Sequence, residues 1–207
     1  MNRIRPTHFV LLILVLLILI WSAWHPADRL TWWLEVFPAL AGLILLAATY
    51  RRFPLTTLCY VAIVLHMSIL FVGGHYTYAR VPFFDWLRPV LGLHRNNFDR
   101  IGHFAQGFVP ALIARELFIR LRILNRQRWQ PFLIVCICLA ISATYELIEW
   151  MTASIAGDDT VSFLATQGDV WDTQKDMLTA LIGAILSLAL LHRVHDRALA
   201  RLKTPGR

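Results

Sequence analysis

Leu11-Leu12-Ile13-Leu14-Val15-Leu16-Leu17-Ile18-Leu19-Ile20 is an unbroken aliphatic run that offers water no polar side. A helix that is apolar all round belongs in lipid or in a large interior. Carried outward to residues 8–24, the run reaches roughly the length a bilayer crossing needs. Segments of similar length and character follow at 31–50, 55–74, 101–120, 131–151 and 175–192. Of the 207 residues 57% are apolar and 16% charged, with a mean hydropathy of +0.57, which excludes an ordinary soluble domain. The predicted fold is therefore all-α, a polytopic membrane bundle of six transmembrane helices whose loops leave no room for a separate soluble domain. Arg3 and Arg5 before the first span resemble a secretory signal, but Ser22-Ala23-Trp24-His25-Pro26 lacks a small-x-small cleavage pattern, so an uncleaved first span is expected.

The net charge of +7 is distributed by helix end. Arg3, Arg5, Arg51, Arg52, Arg115, Arg120, Arg122, Arg126, Arg128, Arg193, Arg197, Arg201, Lys203 and Arg207 fall on one side of the six-helix reading, fourteen of the 20 basic residues. That bias marks the cytoplasm. Both termini are predicted cytoplasmic, in a multi-pass protein of the bacterial inner membrane. All acidic residues except Glu116 and Asp196 lie on the opposite, periplasmic side. The basic surface thus reads as a topology signal with some attraction to anionic lipid, and no nucleic-acid partner is predicted.

Residues 1–75 read as an anchoring unit of three helices, 76–98 as an interfacial periplasmic segment, 99–192 as three helices carrying polar groups, and 193–207 as a basic cytoplasmic tail. Trp21, Trp24, Trp32 and Trp33 suit the headgroup level. Residues 80–97 are too short and too interrupted by Pro82 and Pro89 to span. Their apolar Phe83, Phe84, Trp86, Leu87, Val90 and Leu91 suit a segment lying in the interface. Cys59, Cys136 and Cys138 have no ligand spacing and read as small buried apolar residues.

The polar residues of the last three spans converge on one side. Asp99 and His103 are four apart, so a carboxylate can orient the imidazole; the plainer reading of Asp99 is a helix cap. Glu146 and Glu149, three apart, repel unless a cation or shared proton intervenes. Placed in the last turn of a span ending at 151, they also oppose the helix dipole. Asp169, Asp172, Gln174 and Asp176 lead into the sixth helix and exceed what capping requires. This candidate cluster offers hard oxygen donors and imidazole, with Asp99, His103, Glu146, Glu149, Asp172 and Asp176 as the expected ligands of a divalent Mg, Mn, Fe or Zn ion; the same groups would equally suit a cationic or multiply hydrogen-bonding headgroup, or a proton relay. His75 is a secondary candidate at the same level. Glu116, with Arg115, is expected to snorkel and pair between helices at the inner end.

The stretches Asp99-Arg100-Ile101-Gly102-His103-Phe104, Glu146-Leu147-Ile148-Glu149-Trp150 and Gln167-Gly168-Asp169-Val170-Trp171-Asp172-Thr173-Gln174-Lys175-Asp176, with Gly183 in the last helix, resemble VanZ-like membrane proteins. With Arg115-Glu116 included, the pattern is closer to the YjdF-type family of uncharacterised bacterial inner-membrane proteins. The resemblance covers residues 99–190 and implies an inner-membrane location and an Asp/His/Glu/Asp signature, without an established activity. The acidic and aromatic Gly157–Thr173 loop departs from the VanZ pattern, which tends to carry arginine there. Three functions fit: an envelope enzyme or binding protein handling a lipid-linked or periplasmic polar molecule, an ion-coupled transporter, and a non-catalytic membrane factor that binds a partner protein.

Overall fold

A computed structural model describes residues 5–156 and 167–203, and among them every regular element is helical. The helices are α1 (Pro6–Ala23), α2 (Arg29–Thr49), α3 (Thr57–Tyr76), α4 (Pro82–Val90), α5 (Phe98–Leu121), α6 (Gln130–Ala156) and α7 (Asp172–Lys203), with single 3-10 turns before α4 and α6. Helix starts are set by local chemistry. Pro6 occupies the first turn of α1, where its missing N–H costs nothing. The Asp28 carboxylate caps α2 by accepting from the Thr31 amide at 2.7 Å, and the Thr56 hydroxyl caps α3 by accepting from Cys59.

Five of these helices, α1, α2, α3, α6 and α7, are long and apolar enough to cross a membrane. Exposed Leu17, Ile20, Phe37, Ile44, Leu45, Leu65 and Leu190 clothe their outer faces, as lipid contact requires. Helix α5 carries Asp99, Arg100, Arg115, Glu116 and Arg120 and is much less apolar. Its position explains this: α5 packs against α3, α6 and, most extensively, α7, so its polar residues meet other helices instead of lipid.

Two apolar cores flank α5. Val15, Trp32, Val36, Ile63, Met67 and Phe71 join α1 and α2 onto α3, with Val109 and Leu112 of α5 closing the cluster. A smaller core, Ala111, Ile134, Cys138 and Ala184, joins α5, α6 and α7. The α5/α7 crossing is made of small residues, since a Cβ placed on Gly107 would lie 1.8 Å from the Ala180 carbonyl oxygen and one on Gly183 2.3 Å from that of Phe104. Backbones approach this closely only where side chains are absent.

Helices α6 and α7 outrun the expected spans. α6 continues past 151 to Ala156, and α7 runs 32 residues, about 48 Å, so residues 193–203 are a helical extension. The amphipathic segment forms α4, whose Phe83, Trp86 and Val90 are exposed. Residues 157–166 of the Gly157–Thr173 loop lie outside the described residues.

Candidate functional site

The turn before α5 is built around Asn96. Its fully buried side chain donates to the Val81 carbonyl and to Asp85, both at 3.0 Å, and accepts from the Phe98 amide. The Gln167 side chain pairs with the Asn96 backbone in both directions at 2.9 Å, which holds the chain before α7 against the start of α5. α4, α5 and α7 therefore meet at one corner of the bundle.

Beneath this corner His103 sits at the centre of a carboxylate cluster. Its Nε2 lies 3.5 Å from Asp99, 3.6 Å from Glu146 and 3.9 Å from Asp176, while Nδ1 faces Gln106 Oε1 at 3.2 Å. All four of these ionisable residues are buried. Donor atoms of Asp99, His103 and Asp176 lie within 4.8 Å of one another. Among the described residues the Glu146 Oε1 atom is buried without a hydrogen bond. Bonds of about 2.1 Å to one ion would set neighbouring donors roughly 3.0–3.4 Å apart, and Asp99, His103 and Asp176 are the three whose donor atoms lie nearest to that spacing.

Arginines cover the outer side of the cluster. Arg95 contacts Asp172 and reaches Asp99 at 3.4 Å. Arg100 binds Asp172 Oδ1 at 2.5 Å and the Asp172 carbonyl at 3.1 Å, and makes an ion-pair contact with Asp176 Oδ1 that lacks hydrogen-bond geometry. Asp169 is shared between Arg100 at 3.5 Å and Lys175 at 2.7 Å. Asp169 lies before α7, and the Lys175 hydrogen bond, followed by that from the Trp171 amide, holds its carboxyl below the ordinary range. A lowered value contributes stability that is fully present above the ordinary carboxylate pKa and lost as pH falls from there through the lowered one. Lys175→Met should move the Asp169 titration upward, toward the ordinary range, as read by carboxyl NMR.

A cavity of about 240 Å³ opens beside His103, lined by Glu35, Tyr78, Asp99, His103, Tyr145 and Glu149 among others. Glu35 is buried in α2 and accepts a 2.9 Å hydrogen bond from the Tyr145 hydroxyl. Counting the cavity wall, Glu35, Asp99, Glu146, Glu149, Asp169, Asp172 and Asp176 face the fixed cations Arg95, Arg100 and Lys175, with His103 between. The excess of carboxylates requires bound protons or a further cation.

Of the residues singled out in the sequence, Asp99, His103, Glu146 and Asp176 meet at one point. Asp172 and Asp169 join the arginine layer, and Glu149 lines the cavity. Gln174 is exposed on α7 and stays outside the cluster. Because α6 continues to Ala156, Glu149 lies about two turns and Glu146 nearly three turns before its end. The end of the helix dipole therefore acts little on them, and burial sets their surroundings instead. His75 is a structural link: its ring stacks on Trp21 and its Nδ1 meets the Ser22 carbonyl at 3.0 Å. Sequence reasoning passed over Glu35, the only acidic residue within its apolar segment, and the pairing roles of Arg95 and Arg100.

Glu116 anchors a second polar cluster at the other end of α5. It is fully buried instead of snorkelling, and accepts from the Thr56 amide at 2.9 Å and hydroxyl at 2.7 Å, the Cys59 thiol at 3.1 Å, Arg120 at 2.7 Å and His195 Nε2 at 3.1 Å. Arg115, which can only donate, faces His195 Nδ1 at 3.2 Å. Nδ1 is then the acceptor and Nε2 carries the proton toward Glu116. The Cys59, Glu116 and His195 donors lie close enough for a metal, but these hydrogen bonds leave no free imidazole lone pair, so the group acts as a clamp joining α3, α5 and α7.

Residues 7–197 match the family model described as "Predicted membrane protein (DUF2238)". The chain is 50% identical over 185 residues to the inner membrane protein YjdF of Escherichia coli (strain K12), covering 89% of this chain and 88% of that one. No solved structure matches. These matches do not support the VanZ-like resemblance. The chain belongs to the DUF2238 family and is a multi-pass inner-membrane protein.

Proposed function

We propose that this membrane protein binds a divalent cation through Asp99, His103, Glu146 and Asp176, and uses it to bind or act on the polar part of a lipid-linked or envelope molecule seated in the adjoining cavity. The reading adds α5 to the five apolar helices as a sixth, interior span, with both termini cytoplasmic and the cluster at the periplasmic interface. The basic bias of the alternate helix ends supports that orientation. One observation carries the proposal: three carboxylates converge on a single buried imidazole, and among the described residues two of their oxygens, Glu146 Oε1 and Asp176 Oδ1, have no hydrogen bond. A cation bound there would polarise a phosphoryl or carbonyl oxygen or lower the pKa of a bound water, and a neighbouring carboxylate would take the proton. The Tyr145–Glu35 pair and Glu149 on the cavity wall offer hydrogen bonds to orient a polar ligand.

The test is metal content and affinity of the purified chain. About one equivalent of a divalent ion is expected, with affinity reduced more than roughly a hundredfold in His103→Ala and Asp176→Asn, since even groups behind the ligands change affinity by 10–100-fold. Glu149→Gln should keep the ion. A well-folded protein that stays metal-free under titration would overturn the proposal and favour the membrane factor. Reporter fusions at 76–98 and 155–172 should report outside, and those at 122–129 inside.

Ion-coupled transport draws on a separate observation: the cavity extends past His103 to His66, Pro38 and Pro110, toward the interior of α2, α3 and α5. Ion-gradient-driven uptake into proteoliposomes that is lost in Glu35→Gln would favour this reading.

A further inference from the structure

We infer that the cleft between the start of α3 and the end of α7 is a binding site for an anionic phospholipid. The cleft measures about 470 Å³ and brings Arg5, Arg197 and Arg201 to one opening. Among the described residues no acidic side chain lines it. Among the described residues no ion pair engages these three arginines; the nearby Asp196 is taken by Arg115 at 2.6 Å. Three exposed guanidinium groups without a counter-charge complement a phosphate, which accepts paired hydrogen bonds from each.

The remaining walls select a lipid over a free anion. Leu58 and Val61 of α3 and Val194 of α7 line the same cleft and provide an apolar track for an acyl chain. Depth agrees as well. From Asp172, Arg197 and Arg201 lie 25 and 29 residues along one continuous helix, roughly 38 and 44 Å away. A hydrocarbon core is about 30 Å thick and a whole bilayer about 40–45 Å, so with Asp172 at one interface these arginines stand at the opposite headgroup level. Thr57 occupies the rim, its hydroxyl 2.9 Å from His8 Nε2, and so ties the start of α1 to the same opening.

The experiment uses the full-length protein, delipidated in detergent, with phosphatidylglycerol, phosphatidylcholine and inorganic phosphate as probes, followed by native mass spectrometry and thermal unfolding. Phosphatidylglycerol should bind at least tenfold more tightly than phosphatidylcholine and raise the unfolding temperature. A juxtamembrane arginine contributes roughly fivefold to such binding. Arg197→Ala/Arg201→Ala should therefore weaken phosphatidylglycerol roughly 25-fold and abolish the preference, whereas Arg126→Ala/Arg128→Ala, equal in charge but in the loop before α6, should not. Three results would each overturn the inference: no preference in the wild type, equal losses in both double variants, or equal stabilisation by inorganic phosphate. Metal content should be unchanged in both double variants, which separates this result from the fate of the cation site.

Discussion

Gly107→Val will yield little folded protein, and Gly183→Leu will behave the same way. A Cβ at Gly107 meets the Ala180 backbone at 1.8 Å, and one at Gly183 meets the Phe104 backbone at 2.3 Å, so no rotamer change relieves the overlap. The helices must separate, and the fully buried Ala111, Ala180 and Ala184 then lose their contacts together. Overpacking costs about 1–3 kcal/mol where side chains can give way, and a backbone collision belongs at or above the top of that range. Size-exclusion profile and thermal unfolding in detergent are the measurements. Gly42→Ala is the control, because its added Cβ comes no closer than 3.5 Å to the flexible end of Met67. Near-normal stability of Gly107→Val would mean that α5 and α7 do not cross here, and Asp176 would lose its place beside His103.

Arg100→Met will destabilise the bundle by about 3–5 kcal/mol, the cost of removing one partner from a buried ion-pair group. Arg100 touches Asp169, Asp172 and Asp176, and without it only Arg95, Lys175 and His103 face these carboxylates. Adding Asp176→Asn should restore part of the loss, because it removes one of the anions left unmatched, and a double-mutant cycle isolates that coupling. Arg100→Lys should recover less than a conservative change suggests, since an ammonium cannot reach the Asp172 side chain and carbonyl from one planar group. A loss below about 1 kcal/mol would show that these carboxyls are not held as anions, and the argument for a bound cation would weaken with it.

The sequence was most legible where one physical force dominates. The run Leu11 to Ile20 marks a membrane helix because an unbroken aliphatic surface has no place in water, even though Val15 turns into the core. α5 was legible as a helix although its charges hide that it lies in the bundle interior. The end of α7 was hidden because hydropathy falls at His192, whereas the helix is continued by tertiary contacts: His195 is fully buried against Glu116, and Leu199 is also buried. In the site, spacing within one helix brought out Asp99 with His103. The partnership of Glu35 and Tyr145 spans 110 residues, and that of Cys59 and His195 spans 136, so no local pattern reveals either. Arg100 was passed over for the same reason: its partners Asp169 and Asp172 lie 69 and 72 residues further along the chain, and only packing brings them to it.

Helix α7 also makes the protein a caliper. Asp176 belongs to one polar cluster and His195 to the other, and the 19 residues between them in an unbroken helix set the two about 29 Å apart. That equals the thickness of an average hydrocarbon core, so in the proposed topology each cluster would stand at one of its faces. Neither cluster can move inward without carrying buried charge into the acyl region. In a thinner bilayer the lipid must stretch or the whole bundle must tilt.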